Sequence, residues 1–308
     1  MLKTERMDRV RAALRAQGLT QMIVCDPKSV WYLTGVAVEP YERLLALYLP
    51  TEGEPVLFLN RLFNVPEPPC RTVWHTDTDK PVAQIAEVVD AGRPLGIDKE
   101  WPAKFLIPLM ETHPGMQVVL SSDCVDDCRA CKDAEEQALM REASRINDAV
   151  NEAAKHYIKA GMTEREVAEF IDAQFRAHGC EGPSFTTIVS FGANAADPHH
   201  EPDDTVLKEG DCVLFDMGCV KSRYCSDMTR TWFCGQPTEK QAAVHDLVRR
   251  ANEAAEALIK PGVKLCDLDA AARDLITEAG YGEYFNHRLG HFIGQTDHEK
   301  GDVSSANR

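Results

Sequence analysis

No stretch of the chain approaches the roughly 18 consecutive apolar residues that a membrane-spanning helix needs, so a transmembrane protein is excluded. Basic residues are scarce relative to acidic ones: 34 Lys and Arg face 49 Asp and Glu, for a net charge of −15 over 308 residues. A protein that tracks nucleic-acid phosphates carries the opposite balance. The opening residues, Met1 to Arg6, lead into a charged amphipathic stretch without an apolar signal core, which predicts a protein that stays in the cytoplasm. Low-complexity tracts and short-period repeats are missing. Eleven cysteines is an odd number, and in a chain of this length it predicts reduced thiols rather than a disulfide framework. The 44% hydrophobic content is that of a globular protein, and the length suits one large core or two ordinary ones.

Three cysteines need a separate argument. Cys124, Cys128 and Cys131 have the C-x3-C-x2-C spacing of an iron–sulfur radical enzyme. They lie at the entry to a long helical pattern, where apolar residues pack, and no repeating strand–helix barrel pattern follows. The sequence therefore reads them as buried or half-buried thiols.

The first 125 or so residues alternate helix and strand signals. Met7 to Leu19 has apolar residues at helical spacing, and Gln21 to Cys25 reads as a strand. Leu44–Leu49 and Pro55–Leu59 flank Thr51-Glu52-Gly53-Glu54, a hairpin signal. A helix over Val82–Val89 and strands at Pro94–Asp98 and Val118–Leu120 complete an α/β unit with a small sheet. The pattern changes near Lys132. Asp133 to Lys159 is a long amphipathic helix without Gly or Pro. Thr163-x-x-Glu166 and Thr238-x-x-Gln241 are capping boxes, each opening a helix. Ser184–Ser190, Asp211–Met217 and Tyr224–Phe233 read as strands, and Asp267–Ala279 as a last helix. This half is α+β.

The sharpest chemical signal is Asp216 within Val213-Leu214-Phe215-Asp216-Met217-Gly218, followed by Asp227 within Ser226-Asp227-Met228-Thr229-Arg230-Thr231. An Asp inside an apolar strand is costly unless its charge is compensated. If the strands form a hairpin turning at Lys221-Ser222, Asp216 and Asp227 are directly opposite and share a face. Paired carboxylates can hold two divalent metals; equally, two Asp at strand ends can face water or cap turns. His291, in Gly290-His291-Phe292-Ile293-Gly294, is either a third ligand or a packing residue in a glycine-rich turn. With two carboxylates it makes an oxygen-rich set suited to Mn, Fe, Co or Zn. Pro198-His199-His200 and Asp297-His298-Glu299 add imidazoles that in isolation read as loop histidines. Cys212, Cys219 and Cys225 flank the Asp pair without forming a ligand pair and read as sheet packing.

Together, Pro198-His199, the two Asp motifs, Asp227-x-Thr229-Arg230-Thr231, Gly290-His291-x-Ile293-Gly294 and His298-Glu299 resemble, in order and spacing, the pita-bread metallopeptidases of the Xaa-Pro dipeptidase and aminopeptidase (prolidase-like) branch. The resemblance implies a creatinase-type N-terminal α/β domain over 1–131 and an α+β pita-bread catalytic domain over 132–308. It implies Asp216, Asp227 and His291 as ligands of two divalent ions, Mn above Co, Zn or Fe, with Asp227 bridging. His199 and His298 would orient substrate and stabilise the tetrahedral intermediate, while Tyr224 and Arg230 would serve structure. The expected substrates are short peptides with proline after the first residue, hydrolysed by a homodimer that binds neither nucleic acid nor membrane. The resemblance also places Arg129 and Lys132 in an interdomain Arg…Lys segment, with Cys128 and Cys131 at usually apolar positions. In one respect the chain departs from it: the family has two further Glu ligands on strands after the His298 segment, and here no such strand follows. The expectation is a C-terminally truncated chain with little or no activity as it stands. Creatinase, ectoine hydrolase or dimethylsulfoniopropionate lyase chemistry on the same fold, or a non-catalytic pita-bread binding protein, are the alternatives; creatinase-type and non-catalytic relatives lose ligands that this chain keeps.

Overall fold

All four residues of the strand β1 (Gln21–Val24) are buried, and its apolar side chains divide between two apolar clusters. Met22 and Val24 join Met7, Val10, Leu14, Leu47 and Leu57; Ile23 joins Ala46, Phe58, Ile85, Leu95 and Leu109. Alternate residues of a strand face opposite sides of a sheet, so helices on both faces explain why these strands read as unbroken apolar runs. The structure is a computed structural model and describes residues 2–308. The chain divides into two compact units, Met1–Cys131 and Lys132–Arg308.

The first unit carries a six-stranded sheet in the order β4-β3-β2-β1-β5-β6. Its other strands are β2 (Ala46–Pro50), β3 (Val56–Asn60), β4 (Arg71–His75), β5 (Leu95–Ile97) and β6 (Val118–Leu120). β2 and β3 form the predicted antiparallel hairpin. The sheet is larger than predicted because β4 extends it, pairing parallel to β3. The helices are α1 (Thr4–Ala16), α2 (Pro27–Thr34), α3 (Pro81–Ala86), α4 (Ala103–Thr112) and α5 (Asp123–Ala130). Sequence periodicity missed α2 and α4. The first is only 8 residues long and the second contains Pro108, so neither has a long uninterrupted repeat. The Asp26 carboxylate marks the start of α2, accepting from the Lys28 and Ser29 amides.

The three clustered cysteines are free thiols that differ in setting. Cys124 and Cys128 lie on α5 in the first apolar cluster. Cys131 is exposed, contrary to the expectation of an apolar position. The physical reason is that the helix ends at Ala130 and Cys131 is extended, so it leaves the packed face.

The second unit opens with α6 (Ala134–Tyr157), started by a capping box between Asp133 and Glu136. α7 (Glu164–Ala177) starts at the predicted Thr163–Glu166 box. Their apolar stripes, with Ala143, Val150, Val167, Ile171 and Phe175, pack on Val189, Val213, Phe215 and Met217. Those residues belong to β8 (Ile188–Phe191) and β9 (Cys212–Met217). The predicted run from Ser184 becomes a strand only at Ile188; β7 (Gly182–Pro183) precedes it. β10 (Cys219–Lys221) and β11 (Tyr224–Cys225) form the turn end of the hairpin, and β12 (Met228–Phe233) returns along β9. The sheets run β12-β9-β8 and β11-β10-β7. α8 (Glu239–Glu256), begun at the predicted Thr238–Gln241 box, packs with α9 (Leu265–Glu278). β13 (Gly290–Phe292) and β14 (Glu299–Val303) then form an antiparallel pair.

Candidate metal centre

The geometry of the two aspartates follows from one turn. Ser222 and Arg223 both have positive φ, 48° and 70°, between the paired residues Lys221 and Tyr224. That is the two-residue hairpin turn with both central residues left-handed, a conformation that Asn-Gly adopts more cheaply than Ser-Arg. The turn therefore lies one residue beyond the expected Lys221-Ser222, and direct opposition of the aspartates is corrected. Asp216 faces Thr229, and Met217 faces Met228. Asp227 is two residues from the position opposite Asp216. Side chains two apart on a strand share a face, so the carboxylates remain diagonal neighbours. Gly218 makes the junction possible: a Cβ there would lie 1.9 Å from the Ser226 carbonyl oxygen.

β9 shows strict alternation of buried and half-buried residues. Phe215 and Met217 enter the core under α6 and α7, and Asp216 lies on the other face. Burial pushes the Asp216 carboxyl above its usual range, and the nearby Asp227 charge pushes the same way. The Thr229 hydroxyl opposes this by donating to Asp216 Oδ1 at 2.8 Å. The same sheet face carries an open apolar cavity of about 570 Å³, lined by Cys212, Leu214, Thr231, Phe233 and, from α8, Val244 and Val248.

His291 reaches the aspartates from β13. Its Nε2 stands 3.3 Å from Asp227 Oδ2, and that carboxylate raises the imidazole pKa despite partial burial. The rings of His298 and His291 have centroids 4.1 Å apart at 81°, an edge-to-face contact. Burial, followed by the neighbouring His291, lowers the His298 pKa.

Asp216, Asp227, His291 and His298 therefore converge, although they come from a hairpin and a separate strand pair. His199 is not brought into this group by any contact among the described residues. It lies exposed on the loop after β8, where its backbone N–H donates to Asp197. The neighbouring His200 is half-buried and donates from Nε2 to Glu164 at 2.7 Å. Glu164, fully buried in the first turn of α7, also accepts from the Phe191 amide, the Asn194 side chain and the Asp203 amide. Glu164, His200 and Asp203 form the one trio of acid and imidazole groups within 4.8 Å among the described residues. Both carboxylate oxygens of Glu164 are already taken up by donors, which makes the trio a loop anchor. The atoms of Asp216, Asp227 and His291 span a wider gap. Two carboxylates and one imidazole brought together in this way fit a divalent cation in donor chemistry.

Tyr224 donates to Glu136 at 2.8 Å, with both residues buried, and Arg230 is exposed and bonds the Thr229 carbonyl. Thr229 is a partner that the motif contained without revealing its role; its spacing of two from Asp227 was the available signal. The Glu164–His200 bond left no such signal, because a loop closure creates it.

Residues 138–308 match the family model for metallopeptidase family M24, and residues 6–131 match the creatinase/prolidase N-terminal domain. The chain belongs to metallopeptidase family M24 and is a two-domain peptidase with a creatinase-type N-terminal domain and a pita-bread catalytic domain. An uncharacterized peptidase of Staphylococcus epidermidis is 34% identical over 302 residues, spanning 97% of this chain and 86% of the relative. Among solved structures, the prolidase from Thermococcus sibiricus is 31% identical with a TM-score of 0.92, covering 100% of this chain and 86% of that one. The dipeptidase PepE from Mycobacterium ulcerans is 32% identical with a TM-score of 0.92, covering 99% and 84%. No helix among the described residues is long and apolar enough to cross a membrane.

Proposed function

We propose that this peptidase hydrolyses the bond between an N-terminal residue and a following proline in short peptides, and that the reaction depends on divalent metal. The observation that carries the reading is the convergence of Asp216, Asp227, His291 and His298 on one patch of the catalytic unit. The prolidases and dipeptidase among the structural neighbours support it. Asp216, Asp227 and His291 would hold the metal, with Asp227 shared between two ions. The oxygen-rich set suits Mn, with Co, Zn or Fe as substitutes. Bound there, dications polarise a carbonyl and acidify a water. The protein's own groups do the rest. Thr229 holds the Asp216 carboxylate in place through its hydroxyl. His298, beside His291, donates towards the oxygen on which negative charge develops when the carbonyl carbon becomes tetrahedral. His199, on its exposed loop, orients the substrate once the peptide is bound. The protein works as a cytoplasmic homodimer.

The test is hydrolysis of Xaa-Pro against Xaa-Ala dipeptides after chelation and after repletion with Mn, Co, Zn or Fe. Metal-dependent cleavage confined to Xaa-Pro supports the reading. Cleavage that is indifferent to chelation, or that prefers Xaa-Ala, rejects it.

A further inference from the structure

We propose that Lys132 and Glu299 form a positioning pair that locks the 294–299 loop and thereby holds His298 against His291. The reading of His298 as an oxyanion donor rests on the proposed function; the locking itself does not.

Four observations support it. Lys132 Nζ lies 3.1 Å from Glu299 Oε2, with side chains only 12% and 6% exposed. Taking both charges out of water is costly, and the cost is offset only if the geometry is held and further hydrogen bonds are made. They are made: the other carboxylate oxygen of Glu299 accepts from the Gln295 amide at 3.0 Å. Gly294 leaves the room for this carboxylate. A Cβ there would meet all three carboxylate atoms at 2.6–2.7 Å, so no larger residue fits without moving Glu299. Finally, the Gly294 carbonyl accepts from the Cys225 amide at 2.7 Å, and Cys225 lies two residues before Asp227. The loop is thus bonded at one end to the hairpin of the metal-binding aspartates and at the other to the first residue of the catalytic unit.

The consequence for His298 is geometric. His298 is the last residue of the bend and Glu299 the first of β14, so fixing the Glu299 side chain on Lys132 fixes the backbone that carries His298. The His298 ring meets His291 edge-on, with centroids 4.1 Å apart. The Thr296 hydroxyl, donating to the His298 carbonyl at 2.9 Å, keeps the intervening turn closed. Lys132 and Glu299 touch no reacting atom; they act through His298.

The experiment uses the full chain, with the variants Lys132→Met, Glu299→Gln, Lys132→Arg and the double Lys132→Met/Glu299→Gln. The first readout is the NMR cross-relaxation between the His291 and His298 imidazole protons, which needs no catalysis. The second is kcat and KM on an Xaa-Pro dipeptide with Mn. In Lys132→Met and Glu299→Gln the cross-relaxation should vanish. Their kcat should fall about 10- to 100-fold, as when a group supporting a site residue is lost. KM should stay within about 2-fold, because the lost interaction belongs to the transition state. Lys132→Arg, which keeps the cation, should restore both. If a single variant fails to fold, the double variant, which leaves no unpaired buried charge, is read in its place and should show the same losses. Retained cross-relaxation together with unchanged kcat in a folded variant overturns the proposal. If the unaltered protein shows no Xaa-Pro hydrolysis while the cross-relaxation still depends on the pair, the functional reading has failed and the positioning pair stands.

Discussion

The imidazole of His291 stands 3.3 Å from the Asp227 carboxylate, so a residue of the β13–β14 pair closes a site whose acids belong to the β9–β12 hairpin. Because Asp227 also neighbours Asp216, it is the group that both other candidate ligands share. Replacing it should therefore cost more than replacing either neighbour.

Asp227→Asn should abolish metal-dependent hydrolysis, by at least about 100-fold, and remove bound metal. Elemental analysis of the dialysed protein, alongside the peptide assay, checks this. Two bound ions and full activity in the variant would falsify the ligand assignment.

Thr229→Val keeps the shape of the side chain and removes the hydroxyl that donates to Asp216 at 2.8 Å. The fold should survive, since the position is exposed. Metal affinity should weaken by about 10- to 100-fold, measured by calorimetric titration with Mn. An unchanged affinity means that this hydrogen bond does not support the ligand.

Asp269 is fully buried and accepts two hydrogen bonds from Arg273, at 2.7 and 2.8 Å, plus one from the Leu289 amide. Arg273 in turn donates to the Phe285 and His287 carbonyls, just ahead of His291. The hydrogen bond from Arg273 holds the Asp269 carboxyl below its usual range. A lowered folded-state pKa stabilises the protein above the unfolded carboxyl pKa of about 3.9, and that contribution is lost as pH falls through the folded value. Asp269→Asn should destabilise the second unit at pH 7 by about 3 kcal/mol, because it leaves Arg273 without its partner. It should also flatten the acid limb of stability. Urea unfolding at pH 7 and at pH 3 measures both, and equal pH slopes for the two proteins would reject the linkage.

Thiol labelling of the native protein should modify Cys131 first and leave Cys25 and Cys128 intact. Cys131 is exposed, whereas burial pushes the thiols of Cys25 and Cys128 upwards, away from the reactive thiolate. Peptide mapping reads the order. Anaerobic reconstitution with iron and sulfide should give no absorbance that depends on Cys124, Cys128 and Cys131. A stable cluster there would overturn the reading of these residues as packing and surface thiols.

What could be read from the chain alone is what depends on short-range order. The capping boxes at Thr163 and Thr238 mark helix starts because the bonds that define them span three residues. The shared face of Asp216 and Asp227 was also legible, and it survived an error in register. Moving the turn from Lys221-Ser222 to Ser222-Arg223 shifts each partner by two residues, and a shift of two keeps side chains on the same side of a sheet. The offset itself was not legible, because Ser-Arg carries no composition signal for a turn with two left-handed residues. Long-range closure decided the rest. β4 completes a six-stranded sheet by pairing parallel to β3, a partnership that periodicity does not encode. Lys132 meets Glu299 across 167 residues, and His200 meets Glu164 across 36. Such pairs depend on how whole elements pack, since each buried charge settles where the fold offers it a partner. Local pattern thus marks the residues able to carry the chemistry and the strand face that holds the acids, whereas long-range packing selects the imidazole that stands beside them and the charges that hold it there.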